Sequence, residues 1–242
     1  MINKLLCCIC SLFAGILPLA AQSESGDDTK RETGRSAWFA CTDLSDSIEN
    51  PVKVMGGKDL TQVKLEKYMA SDPVRIPDDG LIRIVREVPD PVNQGKAKYL
   101  VLAEAKVAEN VREALIILSP LTKPQGDLIF QAKVQDLAAF KGGDRLFINL
   151  SDTYIGVQLG DTTIAIPARQ AKIYSAPKLA DPTNIPIMYR FYHPEDKNWK
   201  LLSASTVVLR PTRREICIFN NGSRLGNIKK HGILFPVQSE KP

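Results

Sequence analysis

The sequence predicts an all-β protein made of two tandem, mutually similar antiparallel β-sandwich-like modules. Two observations predict this fold class. Short apolar runs with period-two alternation recur between turn residues, and no segment keeps the 3.6-residue apolar spacing of a helix for three turns. The same order of short motifs also occurs twice, at a separation of roughly 100 to 106 residues, which is typical of a duplicated β-unit.

Five pairs of short matches carry this internal repeat. They begin at Leu44 and Leu150, Val52 and Val157, Tyr99 and Trp199, Arg112 and Arg214, and Gly126 and Gly232. We expect the two copies to superpose strand for strand, with Val52 over Val157 and Glu113 over Glu215. Each of these glutamates stands before an apolar strand, so we expect its carboxylate to bond nearby backbone or a basic partner in a structural role.

The repeat and the N-terminal composition divide the chain into five segments. Residues 1–21 are a predicted signal peptide, because Lys4 precedes an apolar run that is short for a membrane span, and Ala20-Ala21 suits cleavage. A membrane anchor and a lipid-anchored cysteine are weaker alternatives. A flexible polar leader (22–36), repeat 1 (37–135), a linker (136–143) and repeat 2 (144–238) follow. The signal peptide predicts a periplasmic or secreted protein.

Each module is expected to hold a series of short strands between turns. Gly56-Gly57-Lys58-Asp59 turns a hairpin, Pro77-Asp78-Asp79-Gly80 is a second turn, and Asn220-Asn221-Gly222-Ser223 is a third. The predicted strands of repeat 1 are 38–42, 51–55, 61–67, 81–88, 99–107, 114–118 and 128–134. Those of repeat 2 are 146–150, 155–159, 163–167, one near 172–174, 187–192, 199–209, 215–219 and 233–237.

Cys41 and Cys217 are the cysteines that remain after residue 21. In an oxidising compartment they can pair, and a disulfide would stabilise the fold by about 2–4 kcal/mol. They also suit the interior of strands as small buried side chains. The sequence leaves both alternatives open.

An aromatic cluster in repeat 2 is the first candidate binding site. Alternation along the strand places Tyr189 and Phe191 on one face and Tyr192 on the other, with His193 next and Trp199 at the start of the following strand. If one set faces solvent, its rings offer rigid surface to a sugar or a peptide. The alternative is that these rings belong to the core.

A basic segment near the C-terminus is the second candidate. Residues 197–242 hold nine Lys and Arg against two acidic residues, whereas acids outnumber bases by three in residues 22–196. We expect Arg210, Arg213, Arg214, Lys229 and Lys230 to form a patch for an acidic polymer or an anionic membrane surface. The alternative is a solvated surface without a partner. Aromatic residues do not interleave with these charges, so nucleic acid is not expected.

The sequence predicts no catalytic residues, no metal and no cofactor. Two histidines and two cysteines give no zinc-ligand spacing. The Gly-x-Ser-x-Gly nucleophile motif is absent, and a pairing of Ser203 with His193 has no motif to support it.

The chain after residue 21 resembles exported bacterial proteins of uncharacterised function that have duplicated sandwich-like modules. This resemblance implies export and architecture, and it assigns no role to any residue. We therefore expect an exported, non-catalytic binding or scaffolding protein of the bacterial cell envelope, whose partner is an acidic envelope polymer, a glycan or another envelope protein. The alternatives are a glycan-binding module that uses the aromatics and basic loops of repeat 2, and a hydrolase. Oligomeric state is left open.

Overall fold

The computed structural model describes residues 34–236, apart from 68, 94, 139 and 223–225, and the predicted signal peptide lies outside the described residues. The described residues form sixteen strands. The first half contains β1 (Ser36–Cys41), β2 (Val52–Gly56), β3 (Asp59–Val63), β4 (Val74–Arg75), β5 (Leu81–Pro89), β6 (Ala97–Lys106), β7 (Glu113–Gln125) and β8 (Leu128–Asp136). The second half contains β9 (Arg145–Asn149), β10 (Ile155–Leu159), β11 (Thr162–Ile166), β12 (Ala171–Tyr174), β13 (Thr183–His193), β14 (Asn198–Leu209), β15 (Arg213–Asn221) and β16 (Ile228–Pro236).

These strands form four sheets of four strands, and the all-β prediction is confirmed. In the first half, the inner sheet has the order β4-β1-β7-β8 and the outer sheet the order β3-β2-β5-β6. In the second half, the inner sheet has the order β12-β9-β15-β16 and the outer sheet the order β11-β10-β13-β14. The two halves therefore have the same strand order, with each strand of the second half numbered eight higher than its counterpart in the first. In both inner sheets one pair, β1 with β7 and β9 with β15, is parallel.

Three hydrophobic clusters join the four sheets into one stack. The first lies between the two sheets of the first half, and the third lies between the two sheets of the second half. The second cluster lies between the two inner sheets, where Leu115 and Ile117 of β7 pack against Ile216 and Ile218 of β15. Two sandwiches therefore pack back to back. Every residue of β9 is buried, because its sheet is covered on both faces.

The detailed correspondence of the two halves differs from the sequence matches. The hairpin of β2 and β3 closes at the pair Gly56–Asp59, and the hairpin of β10 and β11 closes at Leu159–Thr162. Counting back from these closing pairs, Val52 in the first half is equivalent to Ile155 in the second half. The expected match of Val52 with Val157 is therefore wrong by two residues. A shift of two keeps the same face of the sheet, which is why alternation did not reveal it.

The expected match of Glu113 with Glu215 is also wrong, because the two side chains lie on opposite faces of their sheets. Glu113 shares a face with Leu115 and Ile117, between the halves, and its Oε2 lies 3.5 Å from Nη2 of Arg214. Glu215 alternates with Ile216 and points into the second sandwich, where it pairs with Arg145. The expectation that each glutamate has a basic partner is confirmed.

Other differences concern strand limits and turns. The two-residue strand β4 is not predicted, and β7 is longer than the predicted 114–118. Gly126 lies in the turn before β8 at φ +62°, but Gly232 lies inside β16 and pairs with Cys217, so those two glycines do not correspond. Residues 22–33 of the predicted leader lie outside the described residues. Of its last residues, Ser36 belongs to β1, and the Arg35 guanidinium donates to the Val111 carbonyl at 2.9 Å.

The predicted linker is part of the core between the halves. Leu137 and Phe140 are buried there with the apolar side chains of both inner sheets. Gly142 sits against the Pro211 carbonyl so closely that a Cβ at Gly142 would lie 1.6 Å from that oxygen. The linker thus packs against the turn before β15 and is part of the interface between the two halves.

The two cysteines are free and buried, so the predicted alternative of a disulfide is wrong. Cys41 lies in the cluster of the first sandwich, and Cys217 lies in that of the second. Burial raises the pKa of Cys41 to about 11 and that of Cys217 to about 12, and both thiols behave as small core side chains.

Candidate functional site

The aromatic cluster of β13 and β14 is divided between the two faces of its sheet, as alternation predicts. Tyr189 and Phe191 face the core, and Tyr189 is only 1% exposed. Its ring packs between Phe147 and Phe219, with ring centroids 6.4 and 5.8 Å away. Burial raises the pKa of the Tyr189 phenol far above its ordinary value. Tyr189 is therefore a core residue, and its assignment as a binding residue is wrong.

Tyr192 and Trp199 lie on the outward face of the same sheet. The two residues pair across β13 and β14, and their rings meet edge to face with centroids 5.8 Å apart. Trp199 is 44% exposed. Gly156 of β10 lies beneath the indole, because a Cβ at that position would be 3.2 Å from the Trp199 Cζ3 atom. The glycine lets the indole lie close to the sheet while part of the ring stays in solvent.

His193 is the last residue of β13, and its side chain hydrogen-bonds within the turn that leads to β14. Its Nδ1 accepts a hydrogen bond from the Asp196 backbone N–H at 3.3 Å, and its ring packs against Gly226. Ser203 pairs with Tyr189, four residues before His193 on β13. At about 3.3 Å per residue this separates Ser203 from His193 by roughly 13 Å. The pair considered for a hydrolase is not within hydrogen-bonding distance. His193 is half-buried, and its role as a binding residue stays a prediction.

The basic segment does not form a single patch. Arg210 and Arg213 are exposed at the ends of a tight turn, in which the Arg213 N–H donates to the Arg210 carbonyl at 3.1 Å. Lys229 pairs with Asn220 at the other end of β15. Seven residues of strand, or roughly 23 Å, separate Arg213 from Asn220. This exceeds the Debye length of about 8 Å at physiological salt, so the two ends act separately.

Arg214 is not a surface residue, because it is only 6% exposed. Its Nη1 donates to the carbonyls of Leu137 and Phe140 at 2.9 and 2.6 Å. The guanidinium also lies over the rings of Phe140 and Phe235, at 5.4 and 5.0 Å from their centroids. Burial lowers the pKa of Arg214, and Glu113 opposes this shift. The predicted binding role is wrong, since Arg214 fastens the linker between the halves.

Lys230 is half-buried against the second sandwich, on the face of β16 opposite to Lys229. It alternates with Lys229 along β16, pairs with Phe219, and places its Nζ 4.4 Å from the centroid of the Tyr189 ring. A cation over an aromatic face is attracted by the ring quadrupole. Of the five predicted basic residues, Arg210, Arg213 and Lys229 are exposed.

Lys229 lines a cleft between the two halves, which we call the basic cleft. Its volume is about 820 Å³, and both halves contribute to its walls. The basic side chains that line it are Lys67 and Lys133 of the first half and Arg169, Lys229 and His231 of the second. The other polar side chains of the lining are the acid Asp43 and the hydroxyl and amide groups of Thr42, Ser119, Gln131, Asn220 and Asn221.

The basic cleft carries more positive than negative charge. Lys67 pairs with Asp43 at 2.8 Å, and the Arg169 Nε donates to Asp152 at 3.1 Å. Asp152 also accepts a hydrogen bond from the Asn221 amide at 2.6 Å, which ties β15 to this loop. Lys133 and Lys229 form no ion pair with any described residue. Within the described part of the chain, these two lysines therefore have no carboxylate in direct contact, although the charge of Lys229 helps to lower the pKa of Asp43.

In the basic cleft, the pKa values of Lys133 and His231 are lowered, as expected where cationic groups lie close together. Burial lowers the pKa of Lys133, and the nearby Arg169 lowers it further. The pKa of His231 is lowered by burial and then by Lys229. Such groups gain stability when an anion approaches, because it favours their charged forms. The amide and hydroxyl side chains of the cleft can hydrogen-bond to ligand hydroxyl groups, and its cations can bind acidic ligand groups.

Sequence reasoning found Lys229 but missed Lys67, Lys133 and Arg169. These residues are scattered over a hundred positions and meet only because the two inner sheets pack face to face. Lys133 reaches across the halves, where its Nζ donates to the Arg169 carbonyl at 3.2 Å. No local motif records such a contact.

No protein-family model matches this chain, and no curated protein matches it either. Within the described residues, no group of three or more His, Cys, Asp or Glu side chains is placed to hold a metal ion. No helix in the described part of the chain is long and apolar enough to cross a membrane.

Proposed function

We propose that this chain is an exported, non-catalytic binding protein of the bacterial cell envelope, and that its basic cleft holds an acidic polymer. The observation that carries the proposal is the convergence of unpaired Lys133 and Lys229 with Arg169 at one cleft between the halves. The predicted signal peptide, residues 1–21, supports a periplasmic or secreted location. The repeated motifs and the shared strand order support an origin by duplication.

The chemistry of the cleft favours an acidic polysaccharide over a neutral glycan. Lysine ammonium groups act as point charges toward carboxylates or phosphates, and they tolerate variable geometry along a polymer. The neighbouring amides of Gln131 and Asn221 supply donors and acceptors for hydroxyl groups. Because two cations are unpaired, binding should weaken as salt concentration rises.

Binding of polygalacturonate oligomers to the protein without residues 1–21, compared with neutral dextran oligomers, tests this proposal. Calorimetry across a salt series should give salt-sensitive binding of the acidic oligomer and none of the neutral one. Exchanging Lys133 and Lys229 together for serine should weaken binding about 25-fold, since one charge contact contributes about 1 kcal/mol in water.

The matched control exchanges two exposed lysines of the second half, Lys172 and Lys178, for serine. This variant has the same net charge as the cleft variant and should bind like the wild type. Equal binding by both double variants would overturn the assignment to the basic cleft. Tight binding that ignores salt would overturn the electrostatic mechanism.

A second candidate function, glycan binding, is favoured by the exposed indole of Trp199 on the outward face above Gly156. Stacking of a sugar ring there would require the indole and not the cleft. Exchange of Trp199 for alanine should then abolish dextran binding, whereas exchange of Tyr99, which is also exposed, should not. The hydrolase alternative gains no support from the separated Ser203 and His193.

A further inference from the structure

Strand β14 forms an uncovered edge of the second sandwich. Within the described residues it pairs only with β13, so the N–H and C=O groups that point away from β13 have no strand partner there. The strand is twelve residues long, and eight of these residues are exposed. A free strand edge of this length is a template for pairing with another chain.

The equivalent edge of the first half is covered. Strand β6 packs against β8, whereas no comparable packing joins β14 to β16 in the described part of the chain. Both edge strands contain one extra residue at which the register shifts, Leu102 in β6 and Leu202 in β14. Counting from these residues, the buried Ala105 of β6 is equivalent to the exposed Ser205 of β14. The same strand is therefore covered by a neighbour in one half and open in the other.

Strand β14 also lacks the charges that protect other edges. Of its twelve residues only Lys200 is charged, and its ammonium group pairs with Asp196 of the preceding turn. Strand β6 carries Lys98, Glu104 and Lys106 in ten residues. Native proteins keep free edges from pairing by placing charged residues or proline on them. Because β14 has no proline and a single charge that is already paired, its sequence favours edge pairing.

The exposed apolar side chains of β14 form one row on the outward face of the sheet. The row contains Trp199, Leu201, Ala204, Thr206 and Val208, and the extra residue after Leu201 reverses the alternation there. Three of these side chains, Trp199, Leu201 and Val208, are large and apolar, with exposed fractions of 44%, 61% and 43%. Pairing of the adjacent strand edge would bury part of this row.

The row is self-complementary when two copies of β14 pair antiparallel with Ala204 on the two-fold axis. Directly opposite side chains then lie on the same face, with Leu201 opposite Thr206 and Trp199 opposite Val208 of the second copy. All twelve residues of the strand overlap in this register. The two copies of Lys200 lie roughly 20 Å apart along the strands, which exceeds the Debye length of about 8 Å. The register therefore avoids a pair of like charges.

We propose that the protein forms a two-fold dimer through antiparallel pairing of β14 with β14 of a second copy. The pairing joins two four-stranded outer sheets into one sheet of eight strands. A second copy is the occupant that the strand favours, because one sequence supplies both sides of the register and keeps like charges apart. This inference goes beyond the proposed function and does not depend on the basic cleft.

Cross-linking of introduced cysteines in the protein without residues 1–21 tests the register. Ala204→Cys puts two thiols opposite each other, on residues whose Cα atoms are about 4.5–5.5 Å apart, a separation that a disulfide bridges. Mild oxidation should give a disulfide-linked dimer on a non-reducing gel. In the control Thr206→Cys the two thiols are roughly 13 Å apart along the strands and should not cross-link. Cys41 and Cys217 are buried and should stay unreacted.

Sedimentation velocity over a concentration series measures the dimer without a cross-link. The wild-type protein should show a reversible equilibrium between monomer and dimer. Leu201→Lys should raise the dissociation constant roughly tenfold, because a two-fold interface loses two cross-strand pairs and each contributes roughly threefold. The matched control Tyr99→Lys changes an exposed side chain on β6, the covered edge, and should dimerise like the wild type.

Three results would overturn the proposal. The first is a wild-type protein that stays monomeric over the whole series, which would leave the β14 edge to a strand of a different protein. The second is cross-linking of Thr206→Cys as fast as that of Ala204→Cys, or none of Ala204→Cys. The third is Leu201→Lys that dimerises like the wild type. Assemblies larger than two would equally contradict it, since pairing about this axis closes at two copies.

Discussion

Exchange of Arg214 for alanine should destabilise the whole stack, because this buried side chain joins the linker to both halves. The change removes hydrogen bonds to the Leu137 and Phe140 carbonyls and contacts with two aromatic rings. A hydrogen bond to a charged group contributes about 1.5–3 kcal/mol, and a cation–π contact about 0.5–1 kcal/mol or more. Relief of the guanidinium desolvation cost offsets part of this loss. We expect a net loss of about 3–5 kcal/mol in the free energy of unfolding.

Urea unfolding followed by tryptophan fluorescence at pH 7 measures this loss, and the neighbouring Arg213 gives a matched control. Arg213 is exposed and forms no ion pair with a described residue, so Arg213→Ala should change stability by less than about 0.5 kcal/mol. A loss below about 1 kcal/mol for Arg214→Ala, or an equal loss for both variants, would refute the role of Arg214 in fastening the halves.

The remaining predictions concern the linker, the cleft histidine and the thiols. Gly142→Ala should lower the melting temperature, because the added Cβ would lie 1.6 Å from the Pro211 carbonyl oxygen; unchanged melting would contradict that close approach. The pKa of His231 is lowered by burial and neighbouring lysines, so the folded state favours the neutral ring. This contribution to the free energy of unfolding is fully present above pH ~6.5. It declines as the pH falls, because the unfolded state takes up the proton at a higher pH than the folded state does. His231→Gln should therefore make the melting temperature less dependent on pH in this range. Cys41 and Cys217 have raised pKa values of about 11 and about 12, so iodoacetamide at pH 8 should label neither thiol until the protein is unfolded, as mass spectrometry would show.

The sequence predicted the outer strands better than the inner ones, and alternation explains the difference. The limits of β10 are those predicted, since its apolar residues alternate with polar ones. In β7, five consecutive residues, 114–118, are buried because the inner sheet has a core on each face. A continuous apolar run does not indicate which residues face which side of the sheet. The sequence match of Glu113 with Glu215 is therefore off by one position, and the apolar pattern could not reveal this error.

The candidate sites were predictable only where their residues are close in the chain. Arg210 and Arg213 lie on one turn and are exposed as expected, but Arg214, the next residue, enters β15 and turns into the interface. The basic cleft combines Lys133 with Lys229, and that contact depends on how two whole sheets pack. Packing of distant segments is the step that single-sequence patterns do not encode.

Amide chemical shifts test binding at the basic cleft most directly, because they locate the bound acidic oligomer. In a ¹H–¹⁵N titration with a polygalacturonate oligomer, we expect shifts to concentrate at the basic cleft, on Gln131, Lys133, Asn221 and Lys229. The outward face that carries Trp199 should stay unchanged. Shifts centred on Trp199, or none at the cleft when binding is saturated, would show that the acidic oligomer does not bind in the basic cleft.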